Sequence, residues 1–398
     1  MKVDCVGGGP ASLYLAILLK LQDRGRDITV HEKNPAGSTY GWGVTYWPDM
    51  LTLLAAHDEV SARAIEAHSV RWRDGVAHVR DRVTTHHGDE GFAIGRHRLL
   101  EILAERADSL GVDVRFGRPA PRLGSGLEGD VIVAGDGARS TLREEHAQCF
   151  GTRTVLGHNR FIWLGTTRVF RSFTFAFVET DHGWLWCYAY GFDGTHSTCI
   201  VECAPGTWAG LGLDTMERAD ALKLLEGLFA DVLDGHPLIG RTDTDGPSQW
   251  QQFRTVTNRV WSRGSLVLLG DAAHTTHYSI GAGTTLAMQD AIALARALRE
   301  PGSLPAAFGR YERERRRELL PLQSAARHSA HWYENLTRYI HLAPHQMFAL
   351  LGQRHSPLLP YVPPQLYYRV DRAVEHTQAL RSLKRWLGPR VARVLQDK

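Results

Sequence analysis

Between residues 2 and 6 apolar positions alternate in a strand pattern, three glycines and Pro10 interrupt it, and residues 11–21 continue at helical period. Residues 27–31 give a second strand that ends at Glu32. A strand, glycine turn, helix and strand with an acid at the second strand's tip is the pattern of a dinucleotide-binding βαβ unit. Gly41-Trp42-Gly43-Val44 reads as loop, and the stretch to about residue 87 is mixed. A helix over 96–110, a strand over 112–116 and an apolar strand over 131–134 follow, the last stopping at Gly135-Asp136-Gly137. From 160 to 202 the texture changes to aromatic and β-branched runs (173–178, 184–190 and 198–203) separated by Asp-His-Gly and Asp-Gly turns, which predicts an antiparallel sheet. A strand over 265–269 ends at Gly270-Asp271, and helical pattern dominates from residue 284 onward.

A chain of 398 residues exceeds the size at which one hydrophobic core stops growing, so two interleaved domains are expected. The first, of α/β type, takes residues 1–69, 92–152 and 259–300; the second takes 70–91 and 153–258 with the antiparallel sheet; residues 301–398 form a helical C-terminal region. A hydrophobic content of 43% with 22% charged residues is that of an ordinary globular protein. A formal net charge of +3 is too small to argue for a nucleic-acid partner. Five cysteines with no CxxC pair fit reduced thiols and no metal site, which makes the cytoplasm the expected compartment. The apolar run after the glycines is too short to span a bilayer and lacks the flanks of a signal peptide, so no membrane association is expected.

The candidate chemistry starts at the glycine turn. Gly7, Gly9, Pro10, Ala11 and Ser12 fit a GxGxxG pattern with a small residue in the last place. Bare backbone amides at a helix N-terminus must approach a pyrophosphate, and a Cβ would block them. Glu32, with Lys33 beside it, stands where ribose hydroxyls would be bound. Two further strand ends carry Asp136-Gly137, with Arg143 six residues on from Gly137, and Gly270-Asp271-Ala272-Ala273-His274. Gly281, Ala282, Gly283 and Thr284 lead a helix whose free amides suit an anionic ring edge.

These three segments together resemble the single-component flavoprotein aromatic hydroxylases of the para-hydroxybenzoate hydroxylase type. The resemblance implies a Rossmann-type FAD-binding domain interleaved with an antiparallel-sheet substrate domain. It also implies that Asp271 contacts the FAD ribitol, that Asp136, Gly137 and Arg143 serve FAD and NAD(P)H, and that Arg96 contacts FAD, with Arg98 a competitor on the same turn. The family's proline and asparagine are replaced by Tyr278 and Thr285. The strings around Trp42, Asn159, Phe173 and Ser197, with His277-Tyr278-Ser279-Ile280-Gly281, are similar to a narrower group, that of salicylyl-CoA 5-hydroxylase and 2-aminobenzoyl-CoA monooxygenase, and also to the tryptophan-derivative hydroxylase of violacein synthesis. The similarity runs from Met1 to about residue 335 and thins after about residue 356.

The resemblance implies a monooxygenase that uses FAD, NADH or NADPH and O2 to hydroxylate an electron-rich ring through a flavin C4a-hydroperoxide. The ring would sit para-directed by its OH or NH2 in a salicylyl- or anthraniloyl-type thioester of CoA or a carrier protein. His277 is the first candidate to contact that substituent, with Tyr278 second; a structural histidine is the competing reading for His277. Trp42 is a candidate at the flavin, and Trp163, Trp186 and Tyr188 are candidates at the substrate ring. Basic residues on one helix (Arg310, Arg313, Arg315, Arg316, Arg317) and near the end (Lys384, Arg385, Arg390, Arg393) raise the idea of phosphate docking, but interspersed Glu312, Glu314 and Glu318 favour a salt-bridged helix. Alternatives are a hydroxylase of a tryptophan-derived or other free aromatic, a flavoprotein reductase, a flavin halogenase, whose motif Trp184-Leu185-Trp186 resembles without the following Ile-Pro, and a flavin-binding protein without turnover.

Overall fold

The computed structural model describes residues 1–38, 41–240 and 249–375. Its first sheet has six strands in the order Ser262–Arg263, Leu266–Leu268, Val131–Ala134, Lys2–Val6, Asp27–His31 and Asp113–Arg115. All neighbours are parallel except the first pair, a short hairpin. Lys2–Val6 lies in the middle of the sheet: Val3 and Cys5 are fully buried on one face, and Asp4 on the other is buried beside His31 (3.5 Å). Helix Pro10–Gln22 packs against it and is buried from Ala11 to Lys20, so the apolar run read from the sequence is a core helix. Helix Gly283–Arg299 lies on Pro10–Gln22, and Arg96–Ser109 flanks it.

The second sheet has eight strands in the order Leu238–Ile239, Arg160–Thr166, Ser197–Cys203, Gly183–Gly191, Phe173–Thr180, Val70–Val79, Arg82–Gly95 and Gly43–Tyr46. The predicted antiparallel pairing holds along it with one exception: Phe173–Thr180 runs parallel to Val70–Val79. The chain leaves for the first sheet between these two strands, and such a crossover permits parallel pairing where a tight turn would not. Gly43–Tyr46, expected as loop, is an edge strand paired with the end of Arg82–Gly95. Its four residues are too few to carry a readable period.

Both faces of this sheet are covered. Trp184, Trp186 and Tyr188 point to a cluster with Trp332, Tyr333 and Tyr339, whereas Leu185, Cys187 and Ala189 point to Ala221, Leu225 and Phe229. The cover on the first side is the long helix Leu304–Glu334 and the helix Pro344–Gly352. No helix among the described residues is long and apolar enough to cross a membrane. The basic stretch at Lys384, Arg385, Arg390 and Arg393 lies outside the described residues.

Candidate functional site

Three strand ends of the first sheet converge on one cavity of about 1410 Å³, which runs on to the second sheet. That exceeds the roughly 300–1,000 Å³ of common ligand pockets, enough for a dinucleotide and a further ring. At the first strand end Gly7 has φ +95°, and a Cβ there would lie 2.6 Å from the Gly135 carbonyl oxygen. Only glycine permits both this backbone and the approach of the two strand-end turns. Gly9 caps helix Pro10–Gln22 with no side-chain partner, so the helix amides are left for a ligand. Gly7 and Gly9 line the cavity, while Pro10, Ala11 and Ser12 lie beneath it. Ser12 packs against Gly135, and Ala11 against Gly270, the close helix–strand contact that small residues allow.

Glu32 stands at the rim with Lys33 and accepts bonds from the Gly8 N–H (2.8 Å) and the Asn34 N–H (2.8 Å). Asp136 accepts from the Thr141 N–H (2.8 Å), and its second oxygen, Oδ1, is buried without a protein partner beside Gly137 at φ +82°. Burial raises the Asp136 carboxyl above its usual range, against four hydrogen-bonding contributions led by Ser140. Arg143 does not line the cavity. Its guanidinium is fully buried and donates to the carbonyls of Ala138 (2.7 Å) and Ala272 (3.2 Å), tying the second strand end to the third. The expected cofactor contact of Arg143 is thus replaced by a brace.

Arg96 lines the cavity with its Nε unpartnered, while Arg98 turns outward to Glu101 (3.2 Å) and His68 (3.0 Å). Burial lowers the Arg96 pKa, opposed by Asp271 and Glu32. Asp271 opens onto the cavity but is ringed by protein, which raises its carboxyl while His274 and Arg96 pull it down. Gly270, at φ +61°, shapes the turn from behind. Below it His274 Nε2 donates to Asp290 (2.8 Å), which also accepts from Arg315 at 2.6 Å and from the Gly270 N–H at 3.1 Å. Gly281, Ala282, Gly283 and Thr284 all line the cavity where helix Gly283–Arg299 begins. Gly281 has φ +62°, and a Cβ would meet Thr45 Oγ1 at 2.5 Å. Glycine amides, an uncapped helix start, and the unpartnered atoms of Asp136 and Arg96 around one space are the donors and acceptors a flavin dinucleotide requires.

Beyond this turn the cavity is aromatic, with Phe161, Trp163, Tyr190, Ile200 and Tyr278 on its surface. Of the three ring candidates only Trp163 is there. Trp186 is 2% exposed and stacks on Tyr333 (5.8 Å), and Tyr188 is 3% exposed with its hydroxyl on Glu202, so both are core beneath the cavity. Trp42 also lies behind: its ring fills the space over Gly165 and its carbonyl accepts the Arg96 N–H (2.7 Å). Tyr190 donates to the Gly43 carbonyl (2.9 Å), fixing the edge strand that the sequence reading took for loop. Phe161 shares the Trp163 face two residues away, a signal alternation could have supplied.

His277 is not on the cavity surface. Its Nδ1 pairs with Ser279 Oγ (2.8 Å) and its ring stacks on Tyr278 (4.2 Å), making it the N-cap of the turn Tyr278–Ile280. Burial and then Arg354 depress its pKa to about 3. These are the contacts of a structural histidine, and they direct its Nδ1 away from the cavity. Tyr278 does line the cavity and donates to Glu202 Oε2 (2.9 Å), a buried carboxyl that sequence reasoning passed over because it sits in an apolar strand, Ser197–Cys203. On the arginine-rich helix Arg315 and Arg316 pair with the interspersed Glu318 and Glu312, whereas Arg310 and Arg315 also reach Glu300 (2.8 Å) and Asp290 outside the helix.

Residues 122–319 match a family described as FAD binding domain. The chain is 38% identical over 353 residues to a salicyloyl-CoA 5-hydroxylase from a Streptomyces species, covering 85% of this chain and 66% of that protein. It is 34% identical to the 3-hydroxy-4-methyl-anthranilyl-[aryl-carrier protein] 5-monooxygenase of Streptosporangium sibiricum, over 84% of this chain and 90% of that one. Among solved structures, 2-methyl-3-hydroxypyridine-5-carboxylic acid oxygenase in its tetrameric form shares the fold with a TM-score of 0.65 at 20% identity, over 84% of this chain and 91% of that one. The convergence of glycine turn, DG turn and GD turn on one cavity, together with these identities, makes the chain a member of the FAD-dependent aromatic monooxygenases of the para-hydroxybenzoate hydroxylase fold.

Proposed function

We propose that this monooxygenase hydroxylates a salicylyl- or anthraniloyl-type ring held as a thioester of CoA or a carrier protein, para to the ring's OH or NH2. The observation that carries the reading is the continuity of the cavity. Its lining includes the dinucleotide cradle, Gly281–Thr284, the aromatic residues Phe161, Trp163 and Tyr278, and also Gln249, Phe253 and Arg254, in a volume of about 1410 Å³. A dinucleotide and a free aromatic acid leave part of that volume unfilled, whereas a dinucleotide and an acyl thioester use more of it. The two relatives' names, one a CoA and one a carrier-protein thioester, support the same class.

Within this reading the glycine turn and the helix behind it hold the pyrophosphate, Glu32 the ribose and Asp271 the ribitol. Arg96 neutralises charge near the ring system, and Gly281, Ala282 and Gly283 offer amides to the flavin edge. Bound FAD, reduced by NADH or NADPH, supplies activation of O2 and delivery of one oxygen atom. The protein's own part is to hold the substrate ring between Trp163, Phe161 and Tyr278 and to keep that end dry, since a reactive oxygen donor must meet carbon before water. The OH or NH2 raises electron density at its para carbon and the thioester carbonyl withdraws it elsewhere, which sets the position of attack.

The test is NAD(P)H oxidation by FAD-loaded enzyme with salicyloyl-CoA, 2-aminobenzoyl-CoA and the two free acids, with mass spectrometry for one added oxygen. Thioesters that stimulate oxidation and give the hydroxylated product support the assignment. Stimulation by the free acids alone moves it to the free-aromatic hydroxylases.

A further inference from the structure

Strands Arg153–Leu156 and Arg254–Thr257 pair only with each other among the described residues, giving a two-stranded antiparallel ribbon outside the two large sheets. The ribbon starts at the cavity wall. Phe253 and Arg254 line the cavity, the Gly157 N–H donates to the Phe253 carbonyl (2.8 Å), and Gln252 Nε2 donates to the Gly157 carbonyl (2.8 Å). Leu156 stands opposite Arg254 in the register, and partners across an antiparallel pair share a face. All four residues of Arg153–Leu156 are exposed, Val155 to 49% and Leu156 to 55%. Val155 and Leu156 point to opposite faces, so whatever covers both lies along the free edge of their strand. Exposed aliphatic residues on a strand edge, rimmed by polar ones, mark an interaction surface.

The rim is cationic. Arg153 and Arg259 are exposed at the ribbon's outer end, where Arg259 packs against Gly151, two residues before Arg153. Arg254 is half-buried at the inner end, and its Nε has no partner. None of these three arginines has an ion pair or a side-chain hydrogen bond among the described residues. At the inner end the Glu334 carboxylate is occupied by the His158 N–H (2.9 Å). The arginines of helix Leu304–Glu334 differ, since Arg310, Arg315 and Arg316 are all committed to carboxylates.

Resting on the thioester reading above, we infer that this ribbon is the docking edge for an acidic carrier protein, whose acyl group reaches the cavity on a phosphopantetheine arm. Unpaired cations complement an acidic surface and speed encounter, and the exposed aliphatics supply apolar contact that charge alone lacks. A nucleotide would satisfy the arginines but leave Val155 and Leu156 in water. A second copy of this chain, placed on the edge by a two-fold axis, would set the same arginines against one another. A carrier protein answers both the charge and the apolar surface, and its arm passes from the edge to the cavity at Arg254, which belongs to both.

The experiment compares FAD-loaded wild type, the double variant Arg153→Glu/Arg259→Glu and Leu156→Ser on three thioesters of one salicyloyl group, at saturating NAD(P)H. The group is carried by an acidic acyl carrier protein, by CoA, or by pantetheine, which has neither phosphate nor protein. Charge reversal should raise KM for the carrier-protein thioester by about tenfold or more, keep kcat within about twofold, and flatten the rise of that KM with salt. Leu156→Ser should raise the same KM by about threefold or more. FAD content and the kinetics of the pantetheine thioester should stay at wild-type values in both. A carrier-protein KM unmoved by charge reversal overturns the proposal, and any change of oligomeric state in that variant then assigns the edge to a second copy. An equal loss on the pantetheine thioester overturns it by placing the damage in the pocket, and a loss on CoA as large as on the carrier protein overturns it in favour of a nucleotide site. Wild type that uses the CoA and pantetheine thioesters but not the carrier-protein one overturns the docking and leaves the thioester reading standing. Wild type that turns over none of the three removes the thioester reading and the docking with it.

Discussion

A single histidine shows how much context outweighs residue type. His277 precedes the flavin-side glycines and has the chemistry of a base, yet its Nδ1 is committed to Ser279 and its pKa lies at about 3. It is neutral throughout ordinary working pH, so His277→Asn should leave the pH profile of kcat without a lost inflection and kcat within about tenfold of wild type. The folded value lies below the ordinary 6.5, so the unfolded chain binds the proton more tightly. Stability therefore falls as pH drops from 6.5 toward 3, and His277→Asn should be less acid-sensitive in that window by denaturant titration. The arginine pair on helix Arg96–Ser109 makes the complementary case. Arg96→Ala should cut FAD affinity by about tenfold or more, the value of one charge-assisted contact, while Arg98→Ala, which removes a surface pair, should leave FAD content unchanged in fluorescence titration.

Between elements the decisive contacts are buried polar ones. Asp290, in the middle of helix Gly283–Arg299, joins His274 of the GD turn to Arg315 of helix Leu304–Glu334, and so holds Asp271 at the cavity. Burial pushes its carboxyl up, but His274 and Arg315 together outweigh that and leave it below the usual range. A depressed carboxylate stabilises the fold above the unfolded value of 3.8, and this is lost as pH falls through the folded value. Asp290→Asn should cost about 3 kcal/mol near neutrality, because Arg315 and His274 lose their buried carboxylate while Arg315 keeps Glu318. The difference from wild type should shrink in acid below that carboxylate range, as read from urea unfolding at several pH values. Charge reversal at Arg315 would break the same network, so it reports on folding before any docking of phosphates.

At the scale of the molecule the two sheets are joined by the cavity that both line. Residues from the first sheet's three strand ends and from the second sheet's aromatic face meet there. A ligand spanning this space binds the folded chain and not the unfolded one, so FAD at about 100 times its Kd should add about 2.7 kcal/mol of stability. Calorimetry of the apo and FAD-loaded protein checks this. An unchanged melting temperature at saturating FAD would remove the cradle from this cavity.

Much of this architecture was written locally. The glycine turn, the acid at the tip of the second strand, the DG and GD segments and the alternation through residues 173–203 are read over a few positions, because backbone freedom and side-chain period are short-range properties. They carried the fold class and, through the resemblance of the three segments to a known family, the cofactor and the reaction type. What the tertiary structure alone decided was which side chain faces inward. Trp163 reaches the cavity while Trp186 and Tyr188 lie beneath it, Arg143 braces two turns and Glu202 meets Tyr278 across 76 residues of chain. Both faces of the second sheet are buried, so apolar pattern could not separate the face on the cavity from the face in the core. That distinction depends on which element covers each face, and covering is a property of the assembled chain.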